Sequence, residues 1–212
     1  MSKIVSVDGI IGQGKSTVLN IIKNTPTPYS KIVLLEPFES NLFLPEFYKD
    51  PSRWAYSTQC FFFMLRYRQY LYMRSAPEDV AFCERSAMSD KYTFGDMLFD
   101  SGYMTEEEYK SYIMWFSWFS TWEGLNPDIT VILDGGVEEA MEFIKKRNRP
   151  MEKDITAEYQ TALREKTINN RNYLGKQVFV RSGANLPKSP EGRAEVVLDY
   201  AKMLVPKIAC YY

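Results

Sequence analysis

The chain has 212 residues, 26 basic and 27 acidic, for a formal net charge of −1. That balance supplies no basic field of the kind that draws nucleic acid or an anionic membrane, so the expected partner is a small molecule, with no nucleic acid and no membrane involved. Histidine is absent, which excludes His-based triads, histidine bases and imidazole metal sites and leaves carboxylates, Lys, Tyr or Cys for acid–base chemistry.

Taken in chain order, "MSKIVSVDG" enters a strand-like run at 3–8 with no cleavable signal before it. Further apolar, β-branched-rich runs follow at 31–36 ("KIVLLE"), 80–84 ("VAFCE"), 128–134 ("DITVILD") and 177–181 ("QVFVR"). Their continuous apolar character predicts strands covered on both faces. The segments between them carry helical periodicity, including one long, mostly buried helix over 50–75. The aromatic run "YIMWFSWFSTW" at 112–122 is too short to span a bilayer and suits a helix in the core or at a subunit interface. Residues 183–192 read as a loop, and a final helix is expected from about Glu191 to Lys207. The alternation predicts an α/β fold, a five-stranded parallel sheet flanked by helices, in a single domain whose ligands bind at the carboxyl ends of the strands. Cys60, Cys83 and Cys210 are odd in number and lack metal-ligand spacing, as expected of reduced thiols in a cytoplasmic protein.

The first strand runs into "GIIGQGKST", which has the phosphate-loop spacing G-x-x-x-x-G-K-S/T in its strand-to-helix setting. Residues 9–17 are therefore expected to bind the phosphates of a nucleoside triphosphate through Gly9, Gly12, Gln13, Gly14, Lys15, Ser16 and Thr17, which leaves motor, GTPase and kinase all open. Lys15 can reach the β/γ-phosphates and Ser16 can ligate Mg²⁺. Such sites also use a carboxylate at a strand end for the metal, and Glu84 and Asp134 both stand at one. Glu84 is preferred because Arg85 follows it, leaving Asp134 a strand-end or helix-capping role. Glu36 ends the second strand just before Pro37 and is the best candidate for a base toward an attacking hydroxyl. "KKRNRP" at 145–150 places Arg147 and Arg149 at a helix end. A solvated face is the ordinary reading of such a run, and beside a phosphate loop the two arginines are instead expected in a lid, about 146–155, that closes over the γ-phosphate.

With those segments in order, together with "FYKDPSRWAYSTQ" at 47–59, "ERSAMSDKYTF" at 84–94 and "KRNRPMEKDITAEY" at 146–159, the chain resembles the deoxynucleoside kinases. These enzymes pass the γ-phosphate of ATP to the 5′-hydroxyl of a deoxynucleoside. The resemblance implies a P-loop kinase fold, ATP with Mg²⁺, and a homodimer. It also implies Glu36 as the base at the 5′-hydroxyl, Glu84 as the acid associated with Mg²⁺, and Arg85 as the cation between hydroxyl and phosphates. Tyr48 and Glu152 would hold the sugar 3′-hydroxyl; Gln59, Arg66 and Asp90 would read the base edge, with Phe94 packed against the base. The positions of Arg66 and Asp90 are apolar or small in thymidine-preferring members, so deoxyadenosine, deoxyguanosine or deoxycytidine is expected over thymidine. Asn41 stands where many animal members have tryptophan, while "ERS" resembles the animal enzymes. A nucleoside monophosphate kinase such as a thymidylate kinase, or a catalytically silent scaffold subunit, are the competing expectations.

Overall fold

The computed structural model describes residues 1–205, so Cys210 lies outside the described residues, while the last helix stops at Lys202, short of its expected end near Lys207. The strands are β1 (Lys3–Asp8), β2 (Lys31–Leu34), β3 (Val80–Glu84), β4 (Ile129–Asp134) and β5 (Gln177–Ser182). They pair in parallel in the order β2-β3-β1-β4-β5. β3 and β4 are buried along their whole length and β1 at all but its first residue, as continuous apolar runs require, while the edge strands β2 and β5 are only partly covered. β2 stops at Leu34, two residues short of the expected end. Leu35 and Glu36 leave the ladder ahead of Pro37, which has no N–H to donate.

The helices are α1 (Lys15–Asn24), α2 (Leu44–Lys49), α3 (Pro51–Ser75), α4 (Ala87–Ser89), α5 (Asp96–Asp100), α6 (Glu106–Glu123), α7 (Gly136–Arg147), α8 (Ala157–Asn169) and α9 (Pro190–Lys202), with a π-helical turn at Asp90–Gly95 between α4 and α5. Alternate strand residues face opposite layers. Val5, Val7, Phe82 and Val131 pack with Val18, Leu19 and Ile22 of α1 and Val197 of α9. Ile4, Ala81 and Cys83 pack with Phe63 and Tyr70 of α3 and Tyr112 and Phe116 of α6. A third apolar group, including Ile10, Leu44, Phe47, Met97, Leu98 and Leu163, lies past the strand ends.

α3 has 25 residues, about 37 Å at 1.5 Å per residue. Asp50 starts it by accepting from Arg53 N, and Pro51 occupies a first-turn position that needs no donor. The aromatic run divides across α6: Tyr112 and Phe116 are buried, while Met114, Trp115 and Trp118 face outward. Among the described residues no helix is long and apolar enough to cross a membrane.

The register sets Val7 beside Glu84, Leu34 beside Cys83 and Asp8 beside Ile132. The carboxyl ends of β2, β3 and β1 thus step forward one residue at a time, and β4 runs two residues past β1. The chain leaves β1 between neighbours that lie on opposite sides of it, which is where a crevice opens in such a sheet.

Candidate active site

The loop after β1 approaches its neighbours too closely for side chains. Gly9 has φ 131° and Gly12 φ 93°, and an added Cβ would lie 2.4 Å from Leu133 O or from Ala140 O, respectively. Gly14, at φ 76°, caps α1 without a side-chain hydrogen bond, so the first-turn N–H groups are left to an anion. Lys15 is buried; its Nζ donates to Ile10 O at 2.8 Å and lies 3.9 Å from Glu84 Oε1. Burial, and then the charge of Arg85, lower the ammonium to about 7. Ser16 Oγ donates to Glu84 Oε2 at 2.7 Å.

Arg85 follows Glu84 in the left-handed region, φ 61°, a conformation costly for so bulky a residue. Its N–H continues the ladder to Val7 O at 3.0 Å. The turn carries the guanidinium over the cleft: Nη1 donates to Glu36 Oε2 at 2.6 Å and Nη2 to Gly9 O at 3.2 Å, with the Phe94 ring centre 4.8 Å away. Burial opposes its charge, but Glu36, Glu84 and Asp8 outweigh burial and hold it charged beyond the usual arginine range.

Glu36 accepts from Arg85 and from Arg66 Nη2. Burial disfavours the carboxylate, yet Arg85, Arg66 and Lys15 together bring it down to about 2. Arg66 also donates through Nη1 to Asp90 Oδ1, so one guanidinium spans the base candidate and the acid expected at the nucleobase. Gln59 lies two helical turns before Arg66 on the same face of α3, and its Nε2 donates to Asp90 O at 2.8 Å and to Asp90 Oδ1 at 3.2 Å. Asp90 is raised to about 7, by burial first, with Arg66 acting against the rise and Glu36 adding to it. It opens the π-helical turn that also carries Phe94, and such irregular turns re-aim side chains at sites. Asn41 fastens the segment after Glu36 to α3, donating through Nδ2 to Thr58 O at 3.1 Å.

The lid residues stand opposite. α7 ends in Asn148 with φ 48°, a left-handed helix stop. Beyond it Glu152 accepts from Arg147 Nε and Nη2, each at 2.6 Å, and from Arg149 at 3.4 Å. Arg149 also lies 4.3 Å over the Phe38 ring. Ile11, Gly12, Lys15, Ser16, Glu36, Tyr48, Gln59, Arg66, Glu84, Arg85, Asp90, Phe94, Arg147, Arg149 and Glu152 all line one cleft of about 760 Å³, including its open mouth.

Some expected residues sit elsewhere. The side chain of Gln13 turns away from the cleft, accepting from Gly135 N and donating to Gly136 O, both at 2.8 Å, and Thr17 is exposed. Asp134 forms a two-pronged ion pair with Arg164 at 2.7 and 2.8 Å, so it serves a strand-end pairing and Glu84 is the acid that faces Ser16. Phe38, Phe62 and Tyr159 line the cleft without having been singled out in the sequence. As aromatic residues on three separate segments they look like any core position. Asp8 was missed too: it is buried at the end of β1 and accepts from Ser89 Oγ. Its strand-end position next to Gly9 was the available signal.

A parallel sheet with a phosphate loop at the switch point, a serine and a buried acid beside it, and two arginines opposite defines a P-loop kinase. A sequence profile of the deoxynucleoside kinase family matches residues 5–203, and the chain belongs to that family. The probable deoxycytidine kinase of fowlpox virus (strain NVSL) is 32% identical over 167 residues, which cover 77% of this chain and 69% of the viral protein. The deoxyadenosine kinase of Dictyostelium discoideum is 29% identical over 163 residues, 73% of this chain and 61% of that protein. The human deoxycytidine kinase is 28% identical over 191 residues, 77% of this chain and 73% of the human protein.

Proposed function

We propose that the protein transfers the γ-phosphate of ATP to the 5′-hydroxyl of a deoxynucleoside, favouring deoxyadenosine, deoxyguanosine or deoxycytidine over thymidine, with Glu36 as the general base. One observation carries the reading: a single cleft holds the phosphate loop at one end and the Gln59–Arg66–Asp90 group at the other, with Glu36 and Arg85 between them. A hydroxyl placed there gives its proton to Glu36 as its oxygen bonds to the γ-phosphorus, and the bond to the bridging oxygen breaks to release ADP. To accept that proton Glu36 exchanges one guanidinium for the hydroxyl; Arg66, which has Asp90 as a second partner, is the one that can let go. Arg85 stays to meet the charge on the transferring group.

Ser16 and Glu84 are hard oxygen donors meeting at 2.7 Å. A pair of that kind fits Mg²⁺, which takes few protein ligands and keeps substrate phosphates and water. When bound, the ion neutralises charge on the phosphate oxygens. Arg147 and Arg149 would close from the lid, and Tyr48 with Glu152 would hold the sugar 3′-hydroxyl. Asp90 can accept from an exocyclic amine, which thymine lacks, and the names of the viral and amoebal relatives support that preference. The outward Met114, Trp115 and Trp118 support a homodimer through α6. The unbridged thiols of Cys60 and Cys83 support a cytoplasmic setting for one kinase domain.

The test is a panel of deoxynucleosides and their monophosphates with ATP and Mg²⁺, read as ADP release. Turnover with the amine-bearing nucleosides is expected. Turnover only with monophosphates would replace the reading by a nucleotide kinase, and none with any acceptor would replace it by a silent scaffold.

A further inference from the structure

A phosphate loop binds anions only when its N–H groups point inward. A backbone so turned presents its carbonyls outward, and each buried one needs a donor. Four are met here by side chains. Gly9 O accepts from Arg85 Nη2 at 3.2 Å, Ile10 O from Lys15 Nζ at 2.8 Å, Ile11 O from Gln160 Nε2 at 2.5 Å and Gln13 O from Arg193 Nη1 at 3.3 Å. Arg85 and Lys15 already belong to the site. Gln160 and Arg193 do not: they reach the loop from 149 and 180 positions away, and no motif contains them.

Both are built in. Gln160 is fully buried on α8, the helix that follows the lid. Arg193 is 4% exposed on α9, and its other nitrogens donate to Pro187 O and to Glu139 Oε1 of α7, each at 2.7 Å. Gln13, whose carbonyl Arg193 holds, is tied at its side chain to Gly135 and Gly136 at the start of α7. The middle of the loop is therefore braced twice, by α8 at Ile11 and by α9 and α7 at Gln13.

We infer that Gln160 and Arg193 are positioning residues for the donor: by holding Ile11 O and Gln13 O outward, they keep the loop N–H groups aimed at the triphosphate. The inference rests on the phosphate-site reading above. It requires that their loss weaken phosphate binding while leaving the nucleoside end of the cleft unchanged.

The probe is inorganic tripolyphosphate with Mg²⁺, titrated calorimetrically into the full chain, beside KM for ATP, KM for nucleoside, kcat and Tm. Gln160→Met and Arg193→Met are each expected to raise the tripolyphosphate Kd and the ATP KM by roughly tenfold, the weight of one hydrogen bond. Nucleoside KM should stay within about twofold, since no contact at that end is lost. Gln160→Glu, which sets a carboxylate against Ile11 O, should be worse than Gln160→Met, and Arg193→Lys should recover part of the loss. If Arg193→Met does not fold, Glu139→Gln loosens the same arginine from its partly exposed partner and should move phosphate affinity the same way by less. Unchanged tripolyphosphate affinity with a lowered Tm would overturn the inference and leave both residues as packing. A wild-type chain that binds no tripolyphosphate would overturn the phosphate site itself, and the brace with it.

Discussion

Glu36→Gln keeps the shape of the side chain and removes its charge, and two separate measurements should respond. Neighbouring cations bring this carboxyl from 4.5 to about 2. At about 1.4 kcal/mol per unit, that favours the ionised form in the fold by about 3 kcal/mol. The side chain is 13% exposed, so solvent screens little of it. Because the folded value is depressed, this stability is present above pH 4.5 and is lost as pH falls toward 2. In a chain of this size 1 kcal/mol moves Tm by roughly 2–4 °C, so the variant should melt about 6–12 °C lower at neutral pH, with the gap closing below about pH 3. Arg66 keeps Asp90 and Arg85 keeps Gly9 O, so the cleft should survive and nucleoside KM should change little. The loss of a general base should lower kcat by about 10²–10⁴. Steady-state kinetics and pH-dependent melting read both effects. A kcat near wild type would remove Glu36 from proton transfer, and a Tm gap that persists at acid pH would show that its charge is not what stabilises the cleft.

The pair Arg66→Met with Asp90→Ala should raise relative use of thymidine in a nucleoside panel, since the two charges give way to room for a methyl group; an unchanged ranking would count against their role at the base. Either single change breaks a pair in which both side chains are under 4% exposed, at about 3–5 kcal/mol. The double variant should therefore be more stable to denaturant than additivity predicts. Ser16→Ala should raise the Mg²⁺ concentration needed for half-maximal activity more than it changes nucleoside KM, and a Mg²⁺ titration that overlays wild type would deny it the metal. Trp115→Glu with Trp118→Glu should convert a dimer to monomers in sedimentation velocity; a wild-type chain already monomeric at the same concentration would refute the α6 interface.

Much of this architecture was legible in the residues. The strand-like runs are apolar segments legible from neighbours in the chain, and the structure moved their ends by no more than two positions, although β2 and β5, at the sheet edges, are only partly covered. β2 was overrun because Leu35 and Glu36 continue its pattern although the chain has already turned toward the cleft. "GIIGQGKST" announced the phosphate loop because strand, glycines and helix start are adjacent. Gln13 and the exposed Thr17 were the exceptions within it: glutamine in a phosphate loop reads as a phosphate contact, and only the position of α7 shows that its amide is used to fasten the loop.

The sequence by itself determined what depends on neighbours in the chain: an α/β alternation, a phosphate loop, an acid–arginine pair at a strand tip, and the exclusion of histidine chemistry. Tertiary structure alone decided what depends on register and strand order. Glu36 and Asp90 share the guanidinium of Arg66 because β2 and β3 end within one residue of each other and α3 packs on the sheet face beside them. Asp134 went to Arg164, while Gln160 and Arg193 came to the loop from α8 and α9. Spacing along a chain encodes which face of a helix or strand a residue occupies, whereas the identity of the carbonyl or carboxylate it meets there is set only when distant elements pack.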